Sequence, residues 1–449
     1  MRIKSYRIIR YIVIAVFIMI TCTSCSSDII STTPSKGYHK DGKVTIRFLS
    51  NLPERESGQG KLEQLLIDKY MSENSNVNIE VEAYQDEPYK QRFKAYAISD
   101  NLPDIFFVWG QPSFFNPVMK GGYACELDSN KFKKDEFKDG ALEGFSLDGR
   151  LYGVPKSMDY MALYYNKDLF NKSGIDIPKN FKELIEVCKS FRDEGIIPIT
   201  INIKDKWPLA LLYQELVLME GQDQSFIYDA IHGKESFIDN PVFKKAAEDL
   251  KLLIDACGIA DTMTQLDYNT SMNLFTKKES AMIYTGSWEI GMVNNTELPE
   301  EFRNQMEVSK MPLVLEPNSN DDALVAWNGG GYAISSSSQV KDEAIKFLEY
   351  LMKPENWAKK GFEKGLIVPA QKYENYSNKK ETKIQKELVS ILNNSKSLSG
   401  TSWHDSLTPN FKLNIEELCY QLAAGRISPD YFLKEIDKEV KSENISSVK

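Results

Sequence analysis

Residues 102–110 read LPDIFFVWG. Ile105 to Trp109 is an unbroken apolar run held between Pro103 and Gly110. A strand with one wet face alternates. A strand with no polar position is covered on both faces, as in a parallel sheet flanked by helices. The upstream segments fit that reading. VTIRFLS (44–50) and NIEVEAY (78–84) have strand composition and partial alternation. Between them, Leu62, Leu65, Leu66 and Tyr70 fall on one helical face, and PYKQRFKAYAISDN (88–101) reads as a second helix. Strand, helix, strand, helix, strand is an α/β order. Ligands in such sheets sit beyond the carboxyl ends of the strands. Asn51, Pro53 and Glu54 after the first strand, and Trp109, Gly110 and Gln111 after the third, therefore face a crevice.

Further along, GRLYGVPKSMDYMALYYNKDLF (149–170) has no long helical period and reads as extended. Asn180 caps the next helix, with Glu183 three residues on in a capping-box arrangement, and Phe181, Leu184, Ile185, Cys188 and Phe191 form its buried stripe. LVAWNGGGYAISSSS (324–338) places three glycines between Trp327 and Tyr332. It is no phosphate loop, because neither Lys-Ser nor Lys-Thr follows the glycines. The glycines are expected to supply backbone freedom at a crossing between lobes and to let the backbone approach a ligand closely.

At 449 residues the chain is too long for one small core, and two large lobes are expected. Its 42% hydrophobic and 27% charged residues are ordinary for a globular protein. The formal net charge is −9, and an acidic body argues against nucleic acid as a partner. The N-terminus differs from the rest. Arg2, Lys4, Arg7 and Arg10 precede YIVIAVFIMI (11–20), a run too short to span a bilayer and typical of a secretory signal. Cys125, Cys188, Cys257 and Cys419 form no C-x-x-C pair. They are read as buried free thiols, with one long-range disulfide as the alternative. The histidines are His39, His232 and His404, too few for a metal cluster, so no metal and no cofactor are expected.

The end of the leader, TCTSCSS (21–27), resembles a bacterial lipoprotein signal, with Cys25 preferred to Cys22 as the lipidated residue. That implies a signal peptide over 1–24 and a lipidated flexible tether over 25–43, rich in Ser, Thr, Gly and Pro. In the body, NLPDIFFVWG, GRLYGVPKSMDYMALYYNKDLF, KKESAMIYTGSW and VAWNGGGYAISSSSQVKDEAIKFLEYLMKPENWA occur in an order that resembles the family 1 extracellular solute-binding proteins. These are the maltose-binding-protein-like carbohydrate receptors of ABC importers. The resemblance covers about residues 44–440. It implies a two-lobed periplasmic-binding-protein-like fold (type II), each lobe a β-sheet covered by helices. Lobe I would comprise 44–162 and 327–372, lobe II 163–326 and 373–445, joined by crossing hinge segments.

It also implies a sugar in the interlobe cleft. A sugar presents a rim of hydroxyls to planar polar groups and C–H faces to flat rings. Among the six tryptophans, Trp109, Trp207, Trp288, Trp327 and Trp403 are candidates for the site, and Trp357 is assigned to the core. Asn51, Glu54, Asp159, Glu289, Asn328, His404 and Asp405 are the polar candidates. Tyr160 and Gly329 lie in the crossings and complete the set. The expected protein is a non-enzymatic monomer on the outer face of the cytoplasmic membrane, held by lipid alone, that passes an oligosaccharide to ABC permease subunits. The alternatives are a receptor for a polyamine or peptide, or a secreted glycosidase.

Overall fold

The computed structural model describes residues 42–446, apart from 222, 224, 260–263, 316–322, 377–380, 396 and the side chains of Asn328, Ser397 and residues 444–446. The expected leader, Cys25 and most of the tether lie outside these residues.

The apolar run becomes strand β3 (Ile105–Trp109), beside β1 (Val44–Ser50) and β2 (Val77–Ala83) in parallel register. Two further strands complete this first sheet, β6 (Gly153–Pro155) and β12 (Gly330–Ile334), in the order β2-β1-β3-β12-β6. Ile105, Phe106, Phe107 and Val108 are fully buried, as a strand without polar positions requires. Helices Gly58–Glu73, Asp86–Ile98 and Lys341–Leu351 cover this sheet with Leu62, Leu66, Phe93 and Phe347. A short hairpin, β4 (Ser146–Leu147) and β5 (Arg150–Leu151), stands apart.

The second sheet contains β7 (Met158–Asn166), β8 (Ile197–Thr200), β9 (Ser280–Gly286), β11 (Ala323–Asn328) and β13 (Ser397–Gly400), ordered β13-β11-β7-β9-β8, with β10 (Met306–Ser309) on β7. Its main core lies under helices Phe181–Asp193, Trp207–Gly221 and Pro241–Cys257. The protein is thus a two-lobed α/β fold.

The cysteine reading changes. Cys188 and Cys257 project from facing helices with Cα atoms 4.9 Å apart and form a disulfide, while Cys125 and Cys419 are free. The helical stripe that predicted burial for Cys188 says nothing about which residue it meets, so the long-range pairing was invisible in sequence.

The chain changes sheet between Pro155 and Met158, ahead of the expected break at 162. It returns between Asn328 and Gly330. A third passage runs alongside, with Ser157 bridging Pro369. The passages are laced together: Lys156 N–H donates to Gly330 O at 2.8 Å, Gly329 N–H to Ser157 O at 3.2 Å, and Ala370 N–H to Lys156 O at 3.3 Å. Trp357 is buried as expected, and its indole N–H donates to Lys156 O at 2.9 Å.

The glycine triplet serves a different purpose from the one expected. None of Gly329, Gly330 and Gly331 has a positive φ. Each is needed for space. A Cβ would lie 2.4 Å from Asp159 Oδ2 at Gly329, 2.1 Å from the Phe107 ring at Gly330, and 2.3 Å from Val154 O at Gly331.

Candidate functional site

A cavity of about 990 Å³ lies between the two lobes. The carboxyl ends of β1, β2 and β3 open into it, placing Asn51, then Asp86 at the start of helix Asp86–Ile98, then Trp109 along the lobe I wall. Trp109 is braced edge-on by Phe107, Phe114 and Tyr89, with ring centroids 4.7, 5.0 and 5.5 Å away. The Lys90 ammonium stands 5.3 Å from the Trp109 ring.

Lobe II contributes three adjoining indoles, each tilted about 60° to the next and packed on the lobe II core. Trp207 opens its helix, Trp288 follows the end of β9, and Trp327 lies on β11. Their centroids are 5.9 Å apart for Trp207–Trp288 and 6.2 Å for Trp288–Trp327. Trp288 rests on the bare backbone of Gly286, where an added Cβ would come within 2.0 Å of the ring. The spacing is therefore enforced from beneath.

Polar groups surround the rings. The Tyr268 hydroxyl donates to Glu289 and accepts from Gln85 of lobe I. Burial pushes the Glu289 carboxyl up to about 7; the Tyr268 bond lowers it and the nearby Asp86 charge raises it further. Asp86 is pushed up to about 6, also by burial, against the pull of Lys90 and with the repulsion of Asp205 and Glu87. Lys156 is buried, donating to Gln59 Oε1 at 2.9 Å and Asn51 Oδ1 at 3.3 Å. Burial lowers its ammonium to about 8, while Glu63 and Asp159 resist. Asp159 is raised by burial and held back by Lys156 and by bonds from Ser157 and the Gly330 N–H.

At one end of the cavity the lobes touch. The Ser113 hydroxyl of lobe I donates to Asp405 of lobe II, which also binds Lys412 at 2.6 Å. His404 beside it is buried and neutral, with burial driving its pKa down to about 3. On another flank Gly291 meets Gly58 so closely that a Cβ would lie 2.9 Å from the Gly58 Cα.

Of the sequence candidates, Asn51, Glu54, Trp109, Asp159, Trp207, Trp288, Glu289, Trp327, His404 and Asp405 line this cavity. Three do not. Trp403 is buried against Tyr213 and Phe237 at 5.5 and 5.9 Å, and its N–H donates to Ala210 O at 2.7 Å. The polarity of GTSWHDS reflects its neighbours, not the direction of the indole. Tyr160 alternates with Asp159 along β7, so it points away and donates to Leu388 O at 2.6 Å. Gly329 lies behind the wall, and its neighbour Gly330 reaches the cavity instead. The Asn328 side chain lies outside the description.

Sequence reasoning missed Asp86, Lys90, Lys156 and Tyr268. The strand-end rule, extended to the second strand, points to Asp86. A lone cation in the apolar LYGVPKSM marks Lys156.

Comparison with known proteins agrees with this architecture. A family profile described as bacterial extracellular solute-binding protein matches residues 54–356. An uncharacterized ABC transporter extracellular-binding protein of Pyrococcus horikoshii is 25% identical over 51% of this chain and 54% of its own length. The chain thus spans about half of that relative. A multiple sugar-binding protein of Streptococcus mutans is 20% identical over 70% of this chain and 72% of its own. A structure from work on xylan utilization by the thermophilic bacterium Caldanaerobius polysaccharolyticus aligns with a TM-score of 0.79 at 26% identity, covering 88% of this chain and 100% of that one. With the family profile spanning most of the body and the two lobes enclosing one cleft, this chain belongs to the bacterial extracellular solute-binding proteins.

Proposed function

We propose that this protein is an extracytoplasmic receptor that binds a sugar, an oligosaccharide, in the cleft between its lobes and delivers it to an ABC permease. The observation that carries the reading is the row Trp207–Trp288–Trp327, three rings at near-regular spacing along one wall of the cavity. The rings are tilted by 58° and 60° to one another and Trp327 is buried, so Trp207 and Trp288 offer the partly exposed apolar faces on which the C–H faces of a sugar can pack. Donors and acceptors for the hydroxyl rim come from Asn51 and Asp86 on the lobe I wall, from Lys156 in the crossing, and from Asp159, which pairs with Trp327 across β7 and β11. A cavity of about 990 Å³ stands at the top of the ordinary range for small-molecule sites, roughly 300–1,000 Å³. The names of the Streptococcus relative and the xylan-utilization structure support a carbohydrate ligand.

In this reading the site binds and releases, and no bond of the sugar is broken. Ligand engages one lobe, closure completes the contacts, and the closed form docks on the permease. Glu54, Asp159 and Glu289 act as hydrogen-bonding groups, with Glu289 poised by burial to be either donor or acceptor near neutral pH. The protein works as a monomer, tied to the outer face of the membrane through lipid on Cys25 after removal of residues 1–24, with lobe boundaries near residues 157, 329 and 370.

The test is a thermal-shift screen of purified residues 26–449 against neutral oligosaccharides of increasing length. A ligand at about 100 times its Kd stabilises by about 2.7 kcal/mol. A shift that grows from mono- to trisaccharide supports the reading. A shift with a polyamine or peptide, and none with any sugar, overturns it.

A further inference from the structure

Ser113 sits in the first turn of the lobe I helix Pro112–Lys120, and Asp405 ends the lobe II turn Trp403–Asp405. They are 292 residues apart, and both are buried, 4% and 6% exposed. The other groups on the Asp405 carboxylate come from lobe II. Ser402 donates to Oδ2 at 2.9 Å, Lys412 to Oδ1 at 2.6 Å, and His404 Nε2 stands 3.3 Å away. Burial opposes the charge, but the Lys412 ammonium and the hydrogen bonds from Lys412 and Ser113 outweigh it and hold the carboxyl well below its usual range. Lobe II therefore carries a ready-made anion. Among the described hydrogen bonds of Asp405, the one from Ser113 alone crosses the gap.

The flank at Gly58 and Gly291 is different. There backbone meets backbone with no room for a side chain, which allows close approach but supplies no directional bond. The Gly58–Gly291 contact thus permits closure, whereas the Ser113–Asp405 bond favours it.

We propose that Ser113 and Asp405 form an interlobe latch, a positioning contact that sets the balance between open and closed cleft independently of which ligand is bound. The proposal rests on the receptor reading above, since a latch has a use only in a protein that opens and closes. The Ser113 hydroxyl and the Asp405 carboxylate are spent on each other, so neither discriminates among ligands. Affinity scales with the fraction of protein in the binding-competent state. Losing the latch therefore weakens every ligand by one common factor, whereas losing a ligand contact weakens some more than others.

The test uses the soluble chain, residues 26–449, as wild type, Ser113→Ala, Asp405→Asn and the double variant. Small-angle scattering without ligand reads the mean lobe separation, and calorimetry reads Kd for two sugars of different length. Ser113→Ala is expected to raise the radius of gyration and to raise both Kd values by about tenfold, the same factor for each. The double variant is expected to be no worse than the weaker single variant, as for two groups sharing one bond. Should Ser113→Ala fold poorly, Asp405→Asn keeps shape and one acceptor oxygen and reads the same effect in milder form. Unchanged scattering with unchanged Kd overturns the latch. So does a Kd change confined to one sugar, which would make Ser113 a ligand contact. If wild type binds no sugar, the receptor reading fails separately, while the scattering difference between wild type and Ser113→Ala still decides the latch.

Discussion

Replacing Trp288 with alanine removes the middle one of the three adjoining rings, which packs at the edge of the lobe II core. The ring is flanked at 5.9 and 6.2 Å by the other two indoles and seated on Gly286. It is partly exposed, with its free surface toward the cavity. A buried indole covers roughly 200 Å², and about a third of that on a sugar face is roughly 70 Å². At about 25 cal/mol per Å² this area contributes about 1.8 kcal/mol. Stacking geometry adds about 0.5–1.5 kcal/mol. The sum, about 2.3–3.3 kcal/mol, corresponds to a loss of about 50- to 250-fold in affinity. Calorimetry with the best oligosaccharide from the screen measures it, with urea unfolding as the control for fold. A Kd within threefold of wild type, with the fold intact, would refute the stacking role of the row. A Gly286→Ala variant approaches the same position from below. It leaves every ring in the sequence but drives Trp288 off its seat, and is expected to lose affinity comparably.

Glu289→Gln should flatten the pH dependence of stability. In the folded protein the carboxyl of Glu289 holds its proton up to about pH 7, above its ordinary 4.5. The folded state therefore binds more protons than the unfolded chain between those values, and stability falls as pH rises through the window. Comparing urea midpoints of wild type and variant from pH 4.5 to 7.5 isolates this group, and parallel curves would refute it. Reduction of Cys188–Cys257, or replacement of both by serine, opens a cross-link spanning 69 residues and is expected to cost about 2–4 kcal/mol. Mass spectrometry under non-reducing conditions, which should find one disulfide, checks the premise. Trp403→Ala should lower stability by about 3–5 kcal/mol, as large-to-small core changes do. Sugar affinity, measured well below the melting temperature, should stay within about threefold of wild type.

The α/β class was legible because Ile105–Trp109 has no polar position and the helices before it carry clear stripes. The row of indoles was partly legible. Trp288 and Trp327 were placed by resemblance, Trp109 by its strand end. What failed shares one cause, which is that direction cannot be read from the polarity of neighbours. Trp403 stands among polar residues yet points inward, and Tyr160 is adjacent to a cavity residue but on the other face of its strand. Asp86 and Tyr268 were missed because the second strand end and the start of helix Tyr268–Thr276 lack an aromatic marker such as tryptophan. The disulfide was hidden by the distance in sequence between two helices that meet only in the tertiary fold. The glycine triplet was located correctly but for the wrong reason: crowding, not backbone freedom, excludes larger residues there.

β12 has a consequence of another kind. It is an interior strand of the first sheet, seated between β3 and β6, yet it arrives in the chain more than two hundred residues after β3. Until Gly330–Ile334 is synthesised, β3 has an open edge and lobe I has no finished sheet. Pairings of such sequence separation form slowly, because long loops must close before any contact rewards them. Completion of lobe I is therefore deferred until about three-quarters of the polypeptide exists. Until then the first lobe of a newly made chain keeps an unpaired strand edge at its centre.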